Sequence, residues 1–143
     1  MHSLETSKVI LLVNSDQDVR FTLMLLLKRS GYAVVEAASG QEAVKILRAA
    51  RRTGAAIDLM VADLDMEGTS GAGLAEEIER AGFILPILIL TGCVVSRRDT
   101  LRLRKWTCLP KPFDVSALLD RVEGLLCWSA LENLATHNRE MPS

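Results

Sequence analysis

Short apolar runs alternate with longer amphipathic segments along the chain. The runs are rich in Val, Ile and Leu, a composition that favours strands buried on both faces of a sheet. They lie at residues 9–13 (VILLV), 33–37 (AVVEA), 57–62 (IDLMVA), 86–90 (PILIL) and 108–110 (CLP). The pattern therefore predicts five buried strands.

The segments between and after these runs have the spacing of amphipathic helices. They read DVRFTLMLLLKRSG, SGQEAVKILRAARR, SGAGLAEEIERAG, SRRDTLRLRKW and DVSALLDRVEGLL. Gly31 suits the left-handed position after the first helix, and Ser39 and Asp114 suit the N-caps of the second and fifth. Five strands alternating with five helices indicate an α/β fold, with a parallel sheet covered by helices on both faces.

Composition narrows the class of protein further. The chain has 143 residues, of which 49% are apolar, which fits a single domain with a full core. Seventeen basic and eighteen acidic residues leave a net charge of −1, so no overall field attracts nucleic acid or anionic lipid. No apolar run approaches the roughly 18 residues of a membrane span, and the start carries no signal pattern. We expect a soluble, cytoplasmic protein.

The three cysteines, Cys93, Cys108 and Cys127, lack the spacing of a zinc site. Their odd number also argues against a disulfide framework. We expect buried free thiols in a reducing compartment.

Polar side chains follow most of the predicted strands, and the carboxyl ends of parallel strands meet at one edge of a sheet. The first strand delivers Asn14, Ser15 and Asp16, the third Asp63 and Asp65, the fourth Thr91, and the fifth leads to Lys111. A carboxylate, a hydroxyl and an ammonium at one edge suit phosphoryl transfer. In this interpretation Asp63 is the nucleophile, Thr91 a hydrogen-bond donor and Lys111 a charge partner.

The motifs DLMVADLDMEGTSG, PILILTG and LPKPFD resemble the receiver domains of bacterial two-component response regulators, and the resemblance covers residues 8–127. It implies a flavodoxin-like (βα)5 fold with strand order 2-1-3-4-5. It also implies that Asp63 accepts the phosphoryl group and that Thr91 is the switch hydroxyl. Lys111 matches the invariant lysine of these domains. Lys111 precedes Pro112 through a peptide that is often cis in receivers. The donor would be a phosphohistidine on a sensor kinase or a histidine phosphotransfer protein.

The end of the first strand departs from the family pattern. Receivers usually carry two adjacent acids there, often followed by a third, and these acids help to bind Mg²⁺. Here the first two positions are Asn14 and Ser15, and only the third acid, Asp16, is present. Mg²⁺ would depend on Asp63, the backbone carbonyl of Asp65, waters and Asp16 through a water. We therefore expect weakened Mg²⁺ binding.

The signalling face departs from the pattern as well. Cys108 occupies the position where receivers usually carry the Tyr or Phe that responds to the switch hydroxyl. The segment from Thr91 to Lys111 is about two residues shorter than usual, and Glu67 replaces a common proline. These changes predict that this face responds to phosphorylation differently from the face of other receivers.

A basic run on the fourth helix carries a weaker prediction. Its residues are Arg97, Arg98, Arg102, Arg104 and Lys105. A solvated helix face is the favoured interpretation of that run, and protein docking through helix 4, strand 5 and helix 5 is favoured over nucleic acid.

The chain divides into a tail (1–7), a receiver domain (8–127) and a helical extension with a tail (128–143). In the extension, Leu125, Trp128, Leu131 and Leu134 are spaced by three residues. This stripe either packs on its own domain or forms a homodimer or partner surface.

Two alternatives remain open. A pseudo-receiver would keep the fold and bind partners without phosphorylation, and the missing acids and aromatic favour it. A phosphatase of the haloacid dehalogenase type shares an aspartyl nucleophile, but DLDMEGT departs from that family's DxDGT by an insertion of Met66 and Glu67. Retention of Asp63, Thr91 and Lys111 favours a working receiver, a signalling domain rather than an enzyme. The kinase, the output partner and the oligomeric state are not defined by the sequence.

Overall fold

The computed structural model describes residues 7–66, 68–92 and 95–140, with the backbone alone described from 128 to 140. The strands are β1 (Val9–Val13), β2 (Ala33–Ala37), β3 (Leu59–Asp63), β4 (Ile87–Thr91) and β5 (Thr107–Pro110). The α-helices are α1 (Gln17–Arg29), α2 (Gly40–Thr53), α3 (Gly71–Arg80), α4 (Arg97–Arg102) and α5 (Val115–Glu140). A short 3₁₀ helix, Leu103–Lys105, follows α4.

The five strands form one parallel sheet in the order β2-β1-β3-β4-β5, which confirms the predicted fold and topology. The strand order turns at β1, whose neighbours are β2 on one side and β3 on the other. Ile10 of β1 pairs with Leu59, and Met60 of β3 pairs with Ile87 of β4. This register places the carboxyl ends of β1, β3 and β4 side by side.

Two of the strand predictions begin and end too early. The third run was expected at 57–62 and the fourth at 86–90, whereas β3 ends at Asp63 and β4 at Thr91. Asp63 still pairs with Leu90, so the ladder extends into the polar residues. Asp58 stays outside β3, where its carboxylate accepts a hydrogen bond from the Val9 amide at 2.7 Å.

Alternate residues of the central strands pack into two separate cores, one on each face of the sheet. Leu11, Met60 and Ile89 belong to the core under α2 and α3. The other core contains Ile10 and Val61 and lies under α1 and α5. Because β3 and β4 are buried on both faces, their carboxyl ends are held on a rigid base.

Side-chain caps fix where several helices begin. The Ser39 hydroxyl accepts the Glu42 amide at 3.1 Å, and the Asp114 carboxylate accepts the Ala117 amide at 2.8 Å, which confirms both predicted caps. The fourth helix is much shorter than its predicted segment, because α4 ends at Arg102 and continues as a 3₁₀ turn.

Beyond residue 127, α5 continues as one helix to Glu140. Several expectations lie outside the described residues: the stripe formed by Trp128, Leu131 and Leu134, and the roles of Glu67 and Cys93. Within the described part of the chain, no helix is both long and apolar enough to cross a membrane.

Candidate functional site

The candidate site lies at the carboxyl edge of the sheet, where β3, β4 and the loop after β5 converge. Asp63 is the last residue of β3 and Thr91 the last of β4, and they are only 6% and 4% exposed. The Lys111 amide donates a hydrogen bond to the Thr91 carbonyl at 2.8 Å, which holds the β5 loop against β4. The structure thus brings together the three residues that the sequence singled out.

Asp63 and Lys111 form the closest charged contact of the site. The Lys111 Nζ lies 2.5 Å from Asp63 Oδ1, across 48 residues of sequence. The Asp63 side chain is 8% exposed, whereas that of Lys111 is 38% exposed. A buried carboxylate beside a cation that reaches solvent can receive a phosphoryl group whose new negative charge the ammonium offsets.

The peptide between Lys111 and Pro112 is cis, in agreement with the resemblance to receivers. It lies directly after β5, where the chain turns from the strand toward α5.

A tight turn after β3 fixes the direction of Asp63. The Leu64 amide donates to the Leu90 carbonyl at 2.8 Å, and the Gly71 amide donates to the Leu64 carbonyl at 2.9 Å. A Cβ on Gly71 would lie 2.7 Å from the Asp63 carbonyl oxygen, closer than real contacts allow. Only glycine lets α3 begin so close to the end of β3.

Asn14 takes part in the turn between β1 and α1. It is 3% exposed, and its side-chain oxygen accepts the Asp16 amide at 2.9 Å. The backbone N–H of Asn14 donates a hydrogen bond to the Ala37 carbonyl at 3.1 Å. Asn14 therefore stabilises the turn after β1 at a position where a receiver usually carries an acid, and it brings no negative charge.

Asp16 caps α1. Its Oδ1 accepts hydrogen bonds from the amides of Asp18 and Val19, at 3.0 and 3.1 Å. The cap stabilises the helix and leaves this acid held at the helix start. Across the described part of the chain, no group of three or more His, Cys, Asp or Glu residues is arranged to hold a metal ion.

The donor set is therefore poorer in acids than the set expected of a receiver. Asp63 supplies a carboxylate at the edge of the sheet. A Cβ on Gly92 would lie 3.4 Å from Asp65 Oδ2, which places the Asp65 carboxylate beside the loop after β4. Oxygen donors suited to Mg²⁺ are present, but few of them are charged.

Arg20 is a residue of this edge that the sequence analysis missed. Its guanidinium donates to the Asn14 carbonyl at 2.7 Å and to the Glu36 carboxylate at 3.1 Å. It therefore ties α1 to the ends of β1 and β2. A basic residue one turn into a helix that follows a strand was the available signal, but its partners depend on the tertiary fold.

The position of the missing aromatic is Cys108, on β5. Cys108 is only partly buried and Cys127 is exposed, which corrects the expectation that these thiols are buried. Its thiol lies 3.7 Å from the Trp106 carbonyl oxygen and 4.0 Å from that of Leu103. Burial raises the pKa of this thiol above its usual range, so it stays neutral near pH 7. Beside Cys108 lies a cavity of about 340 Å³ that Thr91 also lines.

The basic run of α4 and the 3₁₀ turn divides into paired and unpaired cations. Arg102 pairs with Glu76 and Asp99, and Lys105 lies 3.7 Å from Glu79. The remaining cations are exposed and make no ion pair with another described residue: Arg97, Arg98 and Arg104.

Comparison with known proteins identifies the class. The sequence profile of the response regulator receiver domain matches residues 10–123, and the chain belongs to this family of signalling domains. It is 32% identical over 123 residues to the transcriptional regulatory protein GlrR of Escherichia coli, covering 85% of this chain and 27% of that protein. It is 34% identical over 119 residues to the response regulator MprA of Mycolicibacterium vanbaalenii, covering 82% and 49%.

A solved structure agrees with these relatives. The response regulator TrrA of Thermotoga maritima, in complex with Mg²⁺ and BeF, superposes with a TM-score of 0.69 at 28% identity, covering 82% of this chain and 98% of that one. The chain spans only about a quarter to a half of the two curated relatives.

Proposed function

We propose that this receiver domain accepts a phosphoryl group on Asp63, with Thr91 and Lys111 assisting. One Asp63 carboxylate oxygen attacks phosphorus, and the bond from phosphorus to the donor nitrogen breaks. The electron pair of that bond stays on the imidazole, which leaves in its neutral form with the proton that its other ring nitrogen already carries. A new P–O bond converts the carboxylate into an acyl phosphate. The donor is a phosphohistidine on a sensor kinase or a histidine phosphotransfer protein.

The observation that carries this proposal is the contact between Lys111 and the buried Asp63 carboxylate. An ammonium held at this distance is placed to offset charge on an incoming phosphoryl group without reorganisation. The Thr91 hydroxyl, on the next strand, is the candidate donor to a phosphoryl oxygen. A pure scaffold has no chemical need for this combination.

Mg²⁺ would assist by neutralising phosphoryl oxygens. Its candidate ligands are the Asp63 carboxylate, the Asp65 backbone carbonyl and Asp16 through a water. We infer weak binding, because Asn14 and Ser15 supply no carboxylate and Asp16 is already the cap of α1.

The proposal is tested by acyl-phosphate labelling. The purified chain is incubated with acetyl phosphate or phosphoramidate over a range of Mg²⁺ concentrations, and the product is mapped by mass spectrometry. We expect one phosphoryl group on Asp63 and its loss in Asp63→Asn. Asp120→Asn removes an exposed carboxylate on α5 and should leave the labelling unchanged.

A phosphorylation-independent binding module is the second candidate, favoured by the use of Asp16 as a helix cap. It predicts no labelling even at high Mg²⁺, together with partner binding that Asp63→Asn leaves intact. Labelling that persists in Asp63→Asn would contradict the assignment of the acceptor.

A further inference from the structure

Asn14 lies beside Asp63 at the carboxyl edge of the sheet. Leu12 of β1 pairs with Val61 of β3, and both pack in the core under α1 and α5. Asn14 and Asp63 each follow two residues later, so their side chains project to this same face of the sheet. Because strands of one sheet lie about 4.8 Å apart, the amide and the carboxylate are neighbours there.

Three of the hydrogen-bonding groups of Asn14 are already engaged within the fold. Its backbone N–H donates to the Ala37 carbonyl at 3.1 Å, and its backbone carbonyl accepts from the Arg20 guanidinium at 2.7 Å. The side-chain Oδ1 accepts the Asp16 amide at 2.9 Å, and only the oxygen of the side-chain amide can accept that bond. These contacts fix the orientation of the side chain before any ligand binds.

The side-chain Nδ2 of Asn14 is the donor that remains. Among the described residues, Asp63 included, none accepts a hydrogen bond from it. Asn14 is only 3% exposed. Every side-chain nitrogen or oxygen of the described residues that is sealed from solvent has a partner, so Nδ2 must reach the accessible edge of the sheet. A buried side chain that presents two N–H groups beside the acceptor carboxylate suits an anionic oxygen as its partner.

A neutral donor at this position changes how the charge of a phosphoryl group is offset. An acid there would repel the phosphoryl oxygens unless a divalent cation lay between them. Asn14 adds no negative charge, and the Lys111 ammonium already lies beside Asp63. Hydrogen-bond donors and one ammonium are therefore available to phosphoryl oxygens without a bridging cation.

We propose that Asn14 is a further catalytic residue, whose Nδ2 donates a hydrogen bond to an oxygen of the phosphoryl group on Asp63. With Lys111, this donor lets the chain hold a phosphoryl group in the absence of Mg²⁺. The weak cation site then adds to the binding of the phosphoryl group but is not required for it. The inference rests on the proposed function, because it concerns the same phosphoryl group.

The test separates binding from phosphoryl transfer by using beryllofluoride, an analogue of the phosphoryl group. The analogue is titrated into the whole ¹⁵N-labelled chain, first in buffer without Mg²⁺ and then with Mg²⁺ added. We expect saturable binding without Mg²⁺ and a large chemical-shift change of the Asn14 side-chain NH₂ pair. This pair is identified by its absence from the spectrum of Asn14→Asp. A residue that only stabilised the turn would keep its NH₂ signals unchanged.

Asn14→Asp is the matched variant, because it keeps the oxygen that accepts the Asp16 amide and exchanges the donor for an acid. Without Mg²⁺ it should bind beryllofluoride at least about tenfold more weakly, since one oriented donor is lost. Added Mg²⁺ should restore its binding. Gln17→Glu makes the same exchange at an exposed position at the start of α1 and should leave binding without Mg²⁺ unchanged.

Three results would overturn the inference: no binding by the unmodified chain without Mg²⁺, no shift of the Asn14 NH₂ pair on binding, or equal effects of Asn14→Asp and Gln17→Glu. The first two come from the unmodified chain, so the test stays valid if Asn14→Asp does not fold.

The same titrations distinguish this inference from the proposed function. Acyl-phosphate labelling of Asp63 that requires Mg²⁺, together with analogue binding that requires it, would reject the role of Asn14 and keep the phosphoryl acceptor. Analogue binding without labelling at any Mg²⁺ concentration would reject only phosphoryl transfer. Neither binding nor labelling at any Mg²⁺ concentration would reject both.

Discussion

Arg102 and Glu76 form a two-point ion pair that joins α4 to α3. The guanidinium donates to the two carboxylate oxygens at 2.6 and 3.1 Å, and it also reaches Asp99 at 3.4 Å. A Cβ on Gly73 would lie 3.1 Å from the Arg102 Nη2, so the absence of a side chain there makes room for the contact. α4 has only six residues and none of them is buried, so this bridge helps to fix its position.

We expect Glu76→Gln to lower the free energy of unfolding by about 0.5–1 kcal/mol at neutral pH, the range for a well-formed but partly exposed pair. Hydrogen bonds from Arg102 lower the pKa of Glu76 below its usual value. A lowered pKa means that the stabilisation is fully present above the unfolded-state pKa of about 4.3 and is lost as the pH falls through the folded-state pKa. Urea unfolding between about pH 3 and 7, a range that spans these pKa values, measures the difference.

Glu77→Gln is the matched control for this prediction, because Glu77 lies on the same helix and makes no ion pair with a described residue. It should show little change at any pH. An equal loss in both variants would mean that the bridge adds nothing to the stability of the fold.

Lys111→Met should destabilise the chain by about 1–3 kcal/mol, because it leaves the buried Asp63 carboxylate without the ammonium beside it. In the Asp63→Asn background the same substitution should cost at least about 1 kcal/mol less. Thermal and urea unfolding of the four proteins give the coupling energy. Contacts of Lys111 other than that with Asp63 are lost in both backgrounds, so identical costs would show that the pair is not coupled.

The sequence predicted the edge of the sheet well because parallel topology alone brings the ends of neighbouring strands together. Asp63, Thr91 and Lys111 needed only the right strand order to converge. Strand limits were less accurate, because Asp58 looks like part of an apolar run and instead accepts a hydrogen bond from β1. Such a contact is fixed by tertiary packing and leaves no periodic signal.

Long-range polar pairs were the part that the sequence could not supply. Arg102 and Glu76 are 26 residues apart, and the basic run around Arg102 gave no sign of which cations are paired. Cys108 was recognised as unusual, but the cavity beside it depends on how the shortened α4 packs. The volume of this cavity and the ion pairs of these cations are defined only when the helices and strands pack together.

Ser15→Asp should strengthen Mg²⁺ binding at least tenfold, about 1.4 kcal/mol, because it restores one acid at the end of β1. Ser15 is exposed, so the substitution should not disturb the core. Isothermal titration calorimetry gives the affinity. Ala56→Asp adds the same charge in the exposed loop before β3, at the opposite edge of the sheet. An equal gain from Ala56→Asp would assign the effect to net charge, and no gain from Ser15→Asp would contradict a depleted cation site.

Gly71→Ala tests whether the close approach of α3 to β3 holds Asp63 in place. The new Cβ would lie 2.7 Å from the Asp63 carbonyl oxygen and 3.1 Å from the Leu64 Cα, and backbone atoms in a buried strand cannot easily move away. We expect a loss of about 1–3 kcal/mol in the free energy of unfolding, as for other overpacked sites.

The same substitution at Gly124 separates this clash from the general effect of replacing glycine. Gly124 lies within α5, and a Cβ there would meet nothing within 4 Å. Gly124→Ala should therefore stabilise the chain, by up to about 1 kcal/mol, because alanine favours a helix. A lower free energy of unfolding in Gly71→Ala together with a higher one in Gly124→Ala would show that contact with the Asp63 backbone decides the effect. If Gly71→Ala were also neutral or stabilising, the turn after β3 would have to be looser than the structure shows, and Asp63 would owe its position to Lys111 rather than to the glycine.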